Sequence, residues 1–180
     1  MPLLGQRPTS ETEKGDEMPI DPEELKQASN KLEYHVKGYA QTFLWLRDWR
    51  LRNLPSSLKS NSILDSHLIH ARLLIFFLMT KSQSTDVNAS DFLDDPSAFK
   101  PLNNSTLDEW RQKINVRHAH LTAKNLTELI SDFKWDIGEI ARNLVPLLLE
   151  FFEEKTSPKI SQVDRDSCQA QLGLVKSLVT

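Results

Sequence analysis

The sequence predicts an all-α protein, and three observations carry that prediction. Apolar residues recur at steps of three and four through most of the chain, the period of a helix face, rather than at the step of two that marks a half-buried strand. Glycine is scarce, with five in 180 residues, and β-branched residues do not gather in alternating runs. Helix-start and helix-stop residues bracket the periodic segments: Asp21-Pro22 before the first, Pro55 after it, Ser105 before a later one and Ser157-Pro158 after the last. The expected architecture is an antiparallel four-helix bundle with one or two short helices inserted between the second and third main helices.

The elements follow in order. Residues 1–20 are polar and unpatterned, with Glu11, Glu13, Asp16 and Glu17, and read as a flexible acidic tail. Asp21 as N-cap, Pro22 at the first helical position and Glu24 as the capping acid start a long helix. It carries Leu25, Ala28, Leu32, Val36, Tyr39, Phe43 and Leu46 on one stripe and runs to about Arg52. A central helix follows over 63–79 (Ile63 to Met79), extending to about Lys81, with apolar residues on nearly every side. That pattern predicts a helix in the interior. Val87 to Leu93 suits a short helix with Phe92 turned inward. Ser105 then caps a third main helix through Leu107, Trp110, Ile114 and His118. Phe133, Ile137, Ile140, Leu144, Leu147 and Phe151 repeat at four and three along a last long helix, which Pro146 should kink. The bundle domain is therefore placed at 21–155. The thinly apolar stretch 156–180 reads as a loose tail or a weak docking helix.

Composition narrows the function. Net charge is −3 and pI about 6.0, so global charge does not argue for nucleic acid. The single cysteine, Cys168, excludes a disulfide framework within the chain and fits a reducing cytoplasm. No signal peptide is visible at the start. The longest apolar stretch, Leu68 to Met79, is interrupted by Arg72, whereas a membrane span needs about 20 apolar residues. The expectation is a soluble cytoplasmic protein with no membrane association. No phosphate loop, nucleophile elbow or dinucleotide fingerprint is present, and nothing calls for a cofactor.

Two groups of residues stand out. The first is polar and lies in or near the central helix: His67, His70 and Arg72, with Asp86, Asp91 and His120 as neighbours expected in space. Arg72 cannot lose its charge. Buried without an acid it would cost about 3–5 kcal/mol, so Asp86 or Asp91 is expected to fold back and pair with it. The histidines are expected to be hydrogen-bonded core groups. His118 and His120 point about 200° apart on a helix, so one ion could not take both there, and no metal site is expected. The second group is Tyr34, Trp45 and Trp49, opposite the main stripe of the first helix, with Arg52 one turn beyond and able to stack on Trp49. Bundle helices often bury a second stripe, but aromatics with Arg also suit a homodimer or protein-partner surface. The locally basic run Arg111 to His120 reads as a solvated helix face or as a phosphate-binding surface.

Ile69 to Phe77, Asp86, Asp91-Phe92, Trp110, Ile114-Asn115 and His118 to Thr122 resemble a set of small, uncharacterised bacterial all-helical proteins. The resemblance spans about 30–152 and implies a fold more than an activity. Arg111 and His118, six residues between them, are similar to the Arg-x4–6-His mark of HEPN domains, helical-bundle modules many of which are dimeric, metal-independent ribonucleases. That family usually places Asn or Asp directly after the Arg, where this chain has Gln112. The similarity implies RNA as substrate, His118 as general acid or base and Arg111 stabilising charge on phosphorus. The leading expectation remains a soluble helical module that self-associates or binds a partner, with the ribonuclease as the alternative.

Overall fold

The computed structural model describes residues 21–52, 58–79, 87–95, 103–119, 135–153 and 159–180, with side chains to residue 116 in the fourth of these segments. Among the described residues the regular structure is entirely helical: α1 (Pro22–Leu51), α2 (Leu58–Met79), a 3-10 turn (Ala89–Phe92), α3 (Ser105–Ala119), α4 (Ile137–Phe151) and α5 (Gln162–Val179). The expectations placed on residues 1–20, Asp86, His120, Phe133 and the His118 side chain lie outside the described residues.

Helix α1 starts as its sequence directs. Asp21 Oδ1 accepts from Glu23 N at 2.9 Å, and Pro22 brings no N–H to leave unpaired. Its stripe from Leu25 to Leu46 is buried, against α2 on one side and α5 on the other. Helix α3 begins one residue earlier in its capping than expected: Asn104 Oδ1, not Ser105, accepts from Leu107 N at 3.1 Å. Leu107, Trp110 and Ile114 are the buried residues among its described side chains, and it packs on α2 and α4. Helix α4 buries Ile137, Ile140, Ala141, Leu144, Val145, Leu148 and Phe151, with Pro146 inside it on the exposed side. There the missing proline N–H costs a bond to Arg142 O but no packing.

Two readings are sharpened or corrected here. Of the two alternatives for the C-terminal stretch, a loose tail or a docking helix, residues 162–179 take the helix, 18 residues long and named α5. Ser161 Oγ caps it by accepting from Asp164 N at 3.1 Å. Cys168, Leu172 and Val175, at steps of four and three, are buried against α1 and α4. Gln169 Nε2 ties it to Phe152 O at 2.7 Å. A single stripe of three buried positions suffices because the helix only closes one side of the core. The second correction concerns α2, which is not enclosed on all sides. Leu68, Ala71, Leu74, Ile75, Phe77 and Leu78 are buried, but Ile69 and Leu73 are exposed. By length and composition α2 could cross a membrane; in this fold its buried face meets α1 and α3.

The aromatic end of the core gathers Phe77, Phe92 and Phe151, whose ring centroids lie 5.1–6.4 Å apart in the edge-to-face geometry that ring quadrupoles favour. At α3–α4, Trp110 Nε1 donates to Glu139 Oε2 at 2.9 Å, and the Trp110 and Trp135 rings lie 5.8 Å apart. A part-buried hydrogen bond to a charged acceptor contributes about 1.5–3 kcal/mol. Trp110→Phe removes the indole N–H and, with the smaller ring, part of the packing on Trp135, so it should lower stability by about 2 kcal/mol or more in urea titration. In a Glu139→Leu background, which leaves no acceptor for the indole N–H, the loss should shrink by about the contribution of the bond; equal losses in both backgrounds would mean the bond contributes nothing.

Candidate functional site: a histidine seam beneath an exposed apolar face

Helices α1 and α2 run in opposite directions along their contact: His35 meets His70, Thr42 meets His67, and Lys59 Nζ sits 5.9 Å from the Trp45 ring centroid. The seam between them is polar and aromatic. His35 Nδ1 and His70 Nδ1 are 3.0 Å apart, so one ring donates to the other. Tyr34 places its ring edge-on to both, with centroids 5.3 Å from His35 and 5.6 Å from His70. One layer away, His67 stacks on Tyr39 at 4.6 Å and 22°. Gly38 makes the close approach possible. A Cβ there would overlap the His70 ring, coming within 2.6 Å of Cε1 and 2.8 Å of Cδ2, so His70 occupies the space that any other residue would fill.

Hydrogen-bond inventory fixes the His67 tautomer. Thr42 Oγ1 lies 2.7 Å from Gly38 O and 3.0 Å from Tyr39 O. Carbonyls only accept, so the one hydroxyl proton goes to them. The 3.0 Å contact between Thr42 Oγ1 and His67 Nδ1 then requires Nδ1–H of His67 to donate. Its Nε2 is left as a buried acceptor with no partner among the described residues, as is the Tyr39 hydroxyl. Burial pushes the His67 pKa down to about 3; the Tyr39 backbone hydrogen bond opposes this, and the charges of His70 and Arg50 add to it. Burial also lowers His35, and burial followed by the His35 charge lowers His70. All three rings are therefore neutral at pH 7, which lets them pack ring against ring without repulsion.

Arg72 is not part of this seam. Two residues beyond His70, it is turned about 200° away. It is half-buried, and it makes no ion pair or hydrogen bond among the described residues. The expected acid Asp91 is engaged elsewhere: its Oδ2 accepts from Asn88 N at 2.7 Å, capping the 3-10 turn. Of the two acids expected to pair with Arg72, Asp91 is engaged in that cap and Asp86 lies outside the described residues; the seam itself is a neutral imidazole cluster in which His35, absent from the sequence-based expectation, supplies the partner for His70. Its register opposite His70 follows from the antiparallel α1–α2 pairing, a signal available only once the two helices are aligned.

Above the seam the surface is apolar. Tyr34 is 65% exposed, Ile69 42% and Leu73 39%, and Ile69 and Leu73 flank His70 in sequence while Tyr34 touches its ring. The expected aromatic face on α1 is only partly outward. Trp45 is half-buried and packs on the core, Trp49 is half-buried, and Arg52 bonds Asp48 at 3.0–3.1 Å instead of stacking on Trp49.

Arg111 and His118 both fall within α3, seven residues apart in the chain. Arg111 Nε and Nη2 donate to Asp108 Oδ1 at 3.0 and 2.6 Å, so a carboxylate already occupies the guanidinium that would meet phosphate. Among the described residues no three His, Cys, Asp or Glu side chains converge as a metal site. Cys168 is buried, and burial, then the charges of Glu33 and Asp164, push its thiol up to about 12 despite the opposing charge of Lys37, which makes it a poor nucleophile. Comparison with protein-family models, curated proteins and solved structures finds no match to this chain. The class of protein is all-helical, and its own geometry carries the functional reading.

Proposed function

We propose that this chain is a helical docking module of the cytoplasm, built as an antiparallel bundle of α1 to α4 with α5 closing one side, and that the α1–α2 face is its binding surface. The observation that carries the reading is the exposure of Tyr34, Ile69 and Leu73 around the neutral seam, Ile69 and Leu73 one turn apart on α2 and Tyr34 against the His70 ring. Contiguous exposed apolar surface marks association sites, and a Tyr anchor held against a packed ring loses little entropy on binding. The half-buried Trp45 extends the same side of α1. Helix α2 serves in this reading as a core helix of a soluble bundle with one face kept for a partner.

The test is to compare wild type with Ile69→Glu/Leu73→Glu by sedimentation velocity and by affinity capture, with far-UV circular dichroism as the check on folding. Both positions are exposed, so the variant is expected to fold with its helicity intact and to lose association. Unchanged association, with itself and with captured protein alike, would overturn the docking reading.

A further inference from the structure

We infer that the partner of this face is a second copy of the chain, with α2 packed antiparallel on α2 across a two-fold axis near Ile69; this rests on the docking reading above and names its occupant. The argument comes from the charges that border the apolar seam. Ser62, Ile69, Leu73 and Phe76 line the outward side of α2, all within about 40° of Ile69 at 100° per residue. Asp65 and Arg72 lie on one edge of that seam, seven residues apart and so within about 20° of each other around the axis. Both are half-buried.

A two-fold axis perpendicular to an antiparallel helix pair keeps each edge on its own side and reverses direction along the helix. Residues i and j on one edge therefore meet as i with j and j with i. With the axis midway between positions 65 and 72, Asp65 of each copy comes level with Arg72 of the other, giving two equivalent pairs on that edge. The same axis lies within half a residue of Ile69, so the two Ile69 side chains meet at its centre. It also brings Ser62 of one copy within one residue step of Phe76 of the other, small against large. A parallel pair, related by an axis along the helices, would put the two Asp65 side chains, and the two Arg72 side chains, on opposite edges of the seam, where Arg72 would meet no Asp65. Arg72 makes no ion pair among the described residues, and the second copy brings Asp65 level with it, a carboxylate that keeps an interaction within its own chain and has further lone pairs to offer. Lipid is the poorer occupant, because acyl chains offer nothing to Asp65 or Arg72.

Sedimentation equilibrium of the full chain and two charge reversals tests this. Wild type should dimerise. Asp65→Arg and Arg72→Asp should each weaken the dimer on the order of tenfold or more, because each sets like charges opposite one another twice. An equimolar mixture of the two variants should restore the dimer, as should the chain carrying both changes, which also serves if either single variant folds poorly. A wild type monomeric at every concentration, a dimer indifferent to the reversals, or a mixture that stays monomeric would each overturn the proposal. So would a monomeric wild type that binds phosphatidylcholine–phosphatidylglycerol vesicles through Ile69 and Leu73. If wild type is monomeric but Ile69→Glu/Leu73→Glu still abolishes capture of another protein, self-pairing fails and the docking reading stands.

Discussion

Gly38→Ala is expected to destabilise the protein by about 1–3 kcal/mol, the cost of forcing an extra methyl into a packed interior. The same exchange in an exposed helix would stabilise it by up to about 1 kcal/mol, because alanine is the better helix former. The reversal of sign arises at one contact. The new Cβ would come within 2.6 Å of His70 Cε1, well inside van der Waals range. The imidazole cannot simply swing aside, since it is buried and bonded to His35. Relief requires α1 and α2 to part or the His35–His70 bond to break. In a His70→Ala background the obstruction is gone, and Gly38→Ala should then stabilise. Urea titration of the four variants reads both signs; a Gly38→Ala protein more stable than wild type would show that the two helices are not in this close contact.

Acid is expected to unfold the protein through the seam histidines, and His67→Phe is expected to blunt that sensitivity. In the unfolded chain these rings titrate near 6.5, whereas folded His67 titrates near 3 and His35 and His70 also below their ordinary value. Between those limits the unfolded state binds more protons, so stability falls as pH falls, by about 1.4 kcal/mol per pH unit for each proton. Above about 6.5 the contribution is complete and flat. For His67 alone the window down to about 3 corresponds to roughly 4–5 kcal/mol, a large share of the 5–15 kcal/mol typical of a domain. Phenylalanine keeps the stack on Tyr39 and removes the unpartnered Nε2, while Thr42 still donates to Gly38 O. The variant should be within about 1 kcal/mol of wild type at pH 7 and lose stability toward pH 4 less steeply, by about one proton. Parallel stability–pH curves for the two proteins would contradict the assignment.

The sequence carried the helices better than it carried their faces. The α1 stripe, the α3 residues Leu107, Trp110 and Ile114, and the seam of α4 could be read because polar residues alternate with them at helical spacing and leave one choice of buried side. Helix α2 offered no such contrast. With Ile69, Leu73 and Phe76 on one side and Leu68, Leu74 and Ile75 on the other, periodicity does not tell which apolar side meets solvent. Helix α5 was undervalued for the opposite reason: three buried positions in eighteen are a weak pattern, although Ser161 and Asp164 mark its start as well as any cap in the chain. The histidine seam was legible only in part. His67 and His70 stood out within α2, but His35 and Gly38 belong to another helix, and only their register against α2 gives them roles. The close approach at Gly38 depends on how deeply two helices pack, which a single sequence does not encode as a spacing.

The docking face is tested most directly by site-specific photo-cross-linking in cells. A photoreactive amino acid would be placed at position 73, on the exposed side of α2, and in a separate chain at position 112, on the exposed side of α3 beside Arg111. Protein adducts are expected from position 73, whether with a second copy or with another chain, and not from position 112. Adducts from position 112 alone, with none from position 73, would contradict the account and move the functional surface to α3.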